Sequence, residues 1–159
     1  MMDTLRLLGA ITALEPRAKQ KENTDRAAVE VPVDAFYSLM GRLKSDPQLA
    51  FDMLYTHTAV DWSAKGEGPG EFELVYQLYS MTHGHYLLVS TRIPRDNPVA
   101  PTVSPIWKIA EWQEREVYDM FGVLYENHRD LRRLFLEDGW NGFPLRKDYK
   151  DEFMLERPE

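Results

Sequence analysis

The sequence predicts an α+β domain, with helices packed on a mainly antiparallel sheet and a long irregular C-terminal segment. Three observations predict it. Two N-terminal stretches, Leu7–Leu14 and Val33–Ser45, carry apolar residues at helical spacing. Three β-rich runs follow one another between Phe51 and Ile93. Val123 to Tyr149 is then dense in Arg, Asp, Gly and Trp and shows no period.

In the first stretch Leu7, Ile11 and Leu14 share a helix face. Its apolar run is far short of the ~20 residues of a membrane span. A signal peptide is disfavoured, because Glu15-Pro16-Arg17 stands where a small-residue cleavage site belongs. Lys19–Asp25 reads as a polar loop and Ala27–Val31 as a short strand. Over Val33–Ser45, Phe36, Leu39, Met40 and Leu43 form one face, Asp34 can cap or charge the first turn, and Pro47 stops the helix.

Phe51–Trp62 mixes β-branched and aromatic residues with polar ones. Glu71–Met81 alternates Phe72, Leu74, Tyr76 and Leu78 with polar positions, and His85–Ile93 is apolar and β-rich. The turn Thr82-His83-Gly84 makes the last two a hairpin. Pro94–Pro101 reads as a loop. Ser104-Pro105 resembles a cap followed by a first-turn proline, so a helix is expected from Ile106 to Phe121, ended by Gly122. The domain is assigned to residues 1–149. Residues 150–159 read as a tail, with Phe153, Met154 and Leu155 a natural short anchor.

Composition narrows function. The chain has 159 residues, the size of one domain, with 19 basic and 26 acidic side chains and a net charge of −7. That balance argues against nucleic-acid binding and against charge-driven docking on an anionic membrane. Cysteine is absent. A disulfide framework, a thiol nucleophile and an ordinary iron–sulfur ligand set are therefore excluded for these residues. Gly66-Glu67-Gly68-Pro69-Gly70 lacks the third glycine of a dinucleotide loop and reads as a flexible connection. His83 and His85 lack a visible third metal ligand and read as turn residues.

The last third differs in character: 21 of the 45 charged residues lie in the 49 positions 111–159, and the first 110 positions hold the other 24. Glu111, Arg115 and Asp119 recur at i, i+4 and i+8, which places them on one helix face. Alternating signs support a solvated ladder of i,i+4 pairs. The alternative is a face that orders a neighbouring loop or a partner. Arg129, Arg132, Arg133, Arg146 and Lys147 form a basic group, and Arg132, Arg133, Arg146 and Lys147 are expected to pair partly with Glu114, Glu116 and Asp119. A separate reading makes Glu114, Glu116, Asp119 and His128 the acid/base groups of a stand-alone enzyme, which would gather them in a pocket.

Taken in order, Glu114-Arg115-Glu116-Val117-Tyr118-Asp119-Met120-Phe121-Gly122, then His128, Asp130-Leu131-Arg132-Arg133, and Trp140-Asn141-Gly142-Phe143-Pro144-Leu145-Arg146-Lys147-Asp148-Tyr149 resemble a family signature. The family is the 30 kDa subunit of respiratory complex I, the C chain of bacterial NADH–quinone oxidoreductase, also found in related membrane-bound hydrogenases. The family usually has Gly-His-Pro-Asp where Asn127-His128-Arg129-Asp130 stands, often a histidine at Phe143, and an aliphatic residue at Phe135.

The resemblance implies a cofactor-free structural subunit of the hydrophilic arm, inactive in isolation. It would dock to the large, 49 kDa-type subunit that helps form the quinone site. NADH, flavin, iron–sulfur clusters and quinone are expected on other subunits. Contact with the membrane would come only through the complex, on the cytoplasmic side of the inner membrane. It also implies that the signature residues form the partner interface.

Overall fold

The protein is described by a computed structural model covering residues 3–63 and 70–152. The glycine-rich stretch 66–69 and the apolar triplet 153–155 lie outside the described residues.

Helix α1 (Thr4–Leu14) starts where the Asp3 side chain accepts the Leu5 N–H, and it buries Leu7, Leu8 and Ile11. Helix α2 (Val33–Ser45) buries Phe36, Leu39, Met40 and Leu43 as its spacing predicts. Asp34 lies in its first turn but is not the cap; Pro32 holds that position, and Asp34 pairs with Arg17. The helix ends before Pro47, with Asp46 extended as a pre-proline residue prefers.

The main sheet has the order β1 (Lys19–Gln20), β2 (Ala28–Glu30), β5 (His85–Pro94), β4 (Glu71–Ser80) and β3 (Met53–Trp62). Strands β3, β4 and β5 form the antiparallel meander that the sequence predicts. Strand β2 joins β5 in parallel, and β1 pairs antiparallel with β2. Lys19–Asp25 is thus not wholly loop. A two-residue strand has no periodicity to read; only its partner makes it a strand.

One sheet face carries Leu54, Ala59, Phe72, Leu74, Tyr76, Leu78, Leu87, Val89 and Ile93, all buried. Helix α2 covers it through Phe36, whose ring lies 4.8 Å from that of Tyr76. Helix α3 (Ala110–Phe121) covers it beside β3, with Phe121 set edge-on to Phe72. Burying such rings contributes on the order of 2 kcal/mol each.

A second, two-stranded sheet pairs β6 (Val99–Pro101) in parallel with β7 (Leu124–Glu126). Both strands fall where the sequence suggested loops. Parallel strands need a long crossover, which α3 supplies. Helix α3 begins at Ala110, not Ile106, and Ser104 does not cap it. Instead, residues 103–110 make successive tight turns, with Ile106 N–H on the Val103 carbonyl and Ala110 N–H on the Trp107 carbonyl. The Trp107 indole N–H donates to the Phe51 carbonyl at 3.1 Å and fixes those turns on the core.

His83 and His85 keep the hairpin end in place. Their Nε2 atoms bond the carbonyls of Pro47 and Leu49, each at 2.9 Å. The pair thus ties the α2–β3 loop.

Candidate functional site

Helix α3 presents Glu111, Arg115 and Asp119 on one face, unbroken from Ala110 to Phe121. The expected i,i+4 ladder does not form, and the face is not solvated. Each side chain turns to the segment that follows β7. Arg115 donates from Nε and Nη2 to the carbonyls of Arg132 and Arg133, at 3.1 and 3.0 Å. Glu111 meets the exposed Arg129 at 3.3 Å.

Asp119 is fully buried and is the centre of this clamp. Its Oδ2 accepts the backbone N–H groups of Leu134, Phe135 and Leu136, at 3.1, 2.7 and 3.0 Å. Its Oδ1 accepts Arg133 Nη1 at 2.8 Å. Burial pushes the carboxyl pKa up, but Arg133 and the three N–H groups outweigh it and hold the pKa below its ordinary value. The other end of Arg133 donates to the carbonyls of Trp140 and Gly142. One ion pair therefore ties α3 to both halves of the irregular segment.

The C-terminus of α3 is closed by the same segment. Gly122 has a φ of 75°, the left-handed cap conformation. A Cβ there would lie 2.6 Å from the Phe143 ring and 2.7 Å from Arg146. Leu145 N–H and Arg146 Nε bond the free helix carbonyls of Met120 and Phe121, at 3.1 and 2.6 Å. Pro144 is the second residue of the turn that brings Arg146 N–H to the Phe143 carbonyl. Gly142 has a φ of 89° and lies against the Tyr149 ring, and the Tyr149 hydroxyl accepts the Trp140 indole N–H.

The pairing of the basic group differs from expectation. Only Arg133 meets a predicted carboxylate. Arg132 pairs with Asp130 at the surface. Arg146 stacks over Phe72 and Phe143. Lys147 uses its backbone N–H on Asp61. Asp148 pairs with Arg95, which also holds buried Asp61 at 3.0 Å. Glu116 is exposed and has no ion pair among the described residues. Sequence reasoning missed Asp61 and Arg95. The available signal was an acidic side chain at an inward position of β3, two residues after buried Ala59.

Glu114 faces away from the basic group. It is fully buried. Oε1 accepts the Val103 N–H at 2.8 Å and Oε2 meets the Thr102 hydroxyl at 2.5 Å. Burial pushes its pKa up to about 7, against the pull of Thr102 and Val103. His128 Nε2 lies 3.7 Å from Oε2 and donates to the Glu111 carbonyl at 3.1 Å, while Nδ1 accepts the Asp130 N–H. These partners read as a neutral imidazole. Asn127, in the family's usual glycine position, adopts a φ of 64°, a conformation that asparagine tolerates better than most residues.

Among the described residues, Glu114 turns to Thr102 and Val103, Asp119 to the Leu134–Leu136 amides, His128 to the Glu111 carbonyl, and Glu116 is exposed. A surface groove of about 480 Å³ is lined by Glu137, Trp140, Asn141 and Tyr149, and by none of the four.

These contacts define a class of module: a small α+β domain whose charged helix binds its own C-terminal segment. Residues 29–152 match the sequence family described as respiratory-chain NADH dehydrogenase, 30 Kd subunit. The chain belongs to that family. It is 40% identical over 119 residues to the NADH-quinone oxidoreductase C chain of Chloroherpeton thalassium, covering 74% of this chain and 48% of that one. Against the corresponding C chain of Geobacter metallireducens the identity is 41% over 129 residues, with 81% and 77% covered. The protein thus spans about half the length of the first of these relatives.

Among solved structures, the trypsin-resistant fragment (1–134) of Nqo5 superposes with a TM-score of 0.69 at 28% identity, covering 82% of this chain and all of that one. A chain of the archaeal membrane-bound sulfane sulfur reductase gives a TM-score of 0.77 at 31% identity, covering 98% and 94%. Among the described residues, no helix is long and apolar enough to cross a membrane.

Proposed function

We propose that the chain is a structural subunit of the hydrophilic arm of an NADH–quinone oxidoreductase. It docks on the large subunit beside the quinone site and binds no redox group itself. It sits on the cytoplasmic side of the inner membrane, held there by the complex. Electrons from NADH pass to quinone through the flavin and clusters of other subunits.

The observation that carries this reading is the clamp. The family's charged residues close the domain on itself. Large apolar side chains remain exposed on and after the same helix: Trp112, Phe135, Trp140 and Leu145. Such anchors suit a protein partner.

Co-purification with the large subunit tests it. The intact chain should be retained, and a Phe135→Asp, Leu145→Asp double variant with unchanged melting should not. Equal retention of both would overturn the docking face. Purified alone, the chain should neither oxidise NADH nor reduce quinone; turnover would sink the reading.

A second reading, the equivalent subunit of a hydrogenase-type or sulfane-sulfur-type membrane complex, is favoured by the match to nearly the whole sulfane sulfur reductase chain. NADH oxidation by the affinity-purified native complex separates the two.

A further inference from the structure

Glu114 is the one shifted carboxyl among the described residues that is held above, not below, its ordinary range; Glu15, Asp34, Glu73, Asp119, Asp130 and Asp148 are all held below. Neither the clamp nor partner docking uses it. Its surroundings form a short chain of hydrogen bonds. Thr102 Oγ1 lies 2.5 Å from Glu114 Oε2 and 2.8 Å from Ser104 Oγ, and it accepts the Ser104 N–H. A hydroxyl has one hydrogen, so Thr102 can donate to only one of those two oxygens at a time. With Glu114 ionised, Thr102 donates to the carboxylate and Ser104 donates to Thr102. With Glu114 protonated, the carboxyl donates to Thr102 and Thr102 donates to Ser104. Both states are satisfied by rotating hydroxyls, and Ser104 is half-buried.

We propose that Glu114 is a buried proton-exchange site, loaded and emptied through Thr102 and Ser104, whose charge state adjusts how α3 holds the β6–α3 turn and the His128 loop. The proton leaves the carboxyl for Thr102 as the Thr102 proton passes to Ser104 and then to water, so one proton crosses and no bond order changes elsewhere. Every titratable neighbour is in place for this role. Glu111 faces it from its own helix and disfavours the anion. His128 aims a neutral Nε2–H between the Glu111 carbonyl and Oε2, so ionisation draws that hydrogen toward Glu114. From β7 and β4 come Tyr125 and Tyr76, whose buried hydroxyls stay protonated. From β3, His57 donates Nδ1–H to the Val75 carbonyl and takes the Tyr125 hydroxyl on Nε2, leaving no proton to offer Glu114. Among the described residues, no lysine or arginine forms an ion pair with Glu114.

The test compares the full chain with Glu114→Gln by urea unfolding from about pH 5 to about pH 8. Gln mimics the protonated carboxyl: its amide donates to Thr102 and its oxygen accepts the Val103 N–H. Above the ordinary carboxyl range the unfolded chain has lost its proton and the folded chain keeps it. The unfolding constant of the wild type, divided by that of the variant, should therefore rise about tenfold per pH unit toward neutrality and then level. With the ordinary value of 4.5 moved to about 7, the ratio rises about 70-fold between about pH 5 and about pH 8, within a limiting span of about 300-fold. Dividing the two cancels every other titration. A ratio that stays flat overturns the proposal. Should the variant fail to fold, infrared difference spectra of the wild type decide. A protonated-carboxyl band present near pH 6 and absent near pH 8 supports it, and no such band near pH 6 overturns it. Thr102→Val should move that band's loss to higher pH, because the hydroxyl favours the ionised form; loss at unchanged or lower pH would overturn the path through Thr102.

Discussion

Asp119→Asn tests whether the clamp holds the C-terminal segment. The carboxylate accepts four hydrogen bonds, from three consecutive backbone N–H groups and from Arg133, and the two ion-pair side chains are only 0% and 11% exposed. An amide keeps one acceptor oxygen and turns an N–H₂ toward either the N–H groups or the guanidinium. Hydrogen bonds to a charged group contribute about 1.5–3 kcal/mol each, and removing one partner of a buried pair costs about 3–5 kcal/mol. Arg133 keeps the carbonyls of Asp119, Trp140 and Gly142, which moderates the loss. The expected destabilisation is about 3 kcal/mol, or roughly 6–12 °C in melting temperature for a chain of this size. Urea unfolding measures the first. Hydrogen exchange measures the second consequence, faster exchange of the Leu134, Phe135 and Leu136 amides. The wild-type contribution is present at neutral pH and is lost as pH falls below the ordinary aspartate range, because the folded-state pKa is lowered. A variant within about 1 kcal/mol of wild type, with those amides still protected, would refute the reasoning.

Other outcomes follow from the same geometry. Arg132→Ala should change stability by less than about 0.5 kcal/mol in urea, because its pair with Asp130 is exposed. Gly122→Ala should cost about 2–3 kcal/mol in thermal melts, from the left-handed backbone and the contact with Phe143. Asn127→Gly should be nearly neutral by melting, whereas Asn127→Val should lose about 1–2 kcal/mol at a φ of 64°. His57 is buried and pushed down to about 4, so it stays neutral while the unfolded chain gains a proton below its ordinary value of 6.5. It should remove about 3 kcal/mol of stability between about pH 6.5 and pH 4, a loss that His57→Gln abolishes when unfolding is followed across that range.

The sequence carried the element types wherever a period was long enough to read. Period-2 alternation in Glu71–Met81 and helical spacing in Val33–Ser45 are local signals, and the packed core kept both. It also carried the family, because an ordered string of residues survives in any conformation. The i, i+4, i+8 spacing of Glu111, Arg115 and Asp119 showed that they share a face. What covers that face was not legible. Asp119 meets residues 14 to 17 positions away, and Asp61 meets one 86 positions away. Side-chain spacing encodes no contact over such distances; chain packing decides it. Tertiary structure likewise made strands of Lys19–Gln20, Val99–Pro101 and Leu124–Glu126, since two or three residues gain ladder bonds only when a partner strand lies beside them. It also separated two carboxyls that lie five residues apart on one helix. Asp119 is surrounded by N–H donors and a guanidinium that favour its charge, while burial of Glu114 outweighs the pull of its two donors, Thr102 and Val103, and disfavours the anion.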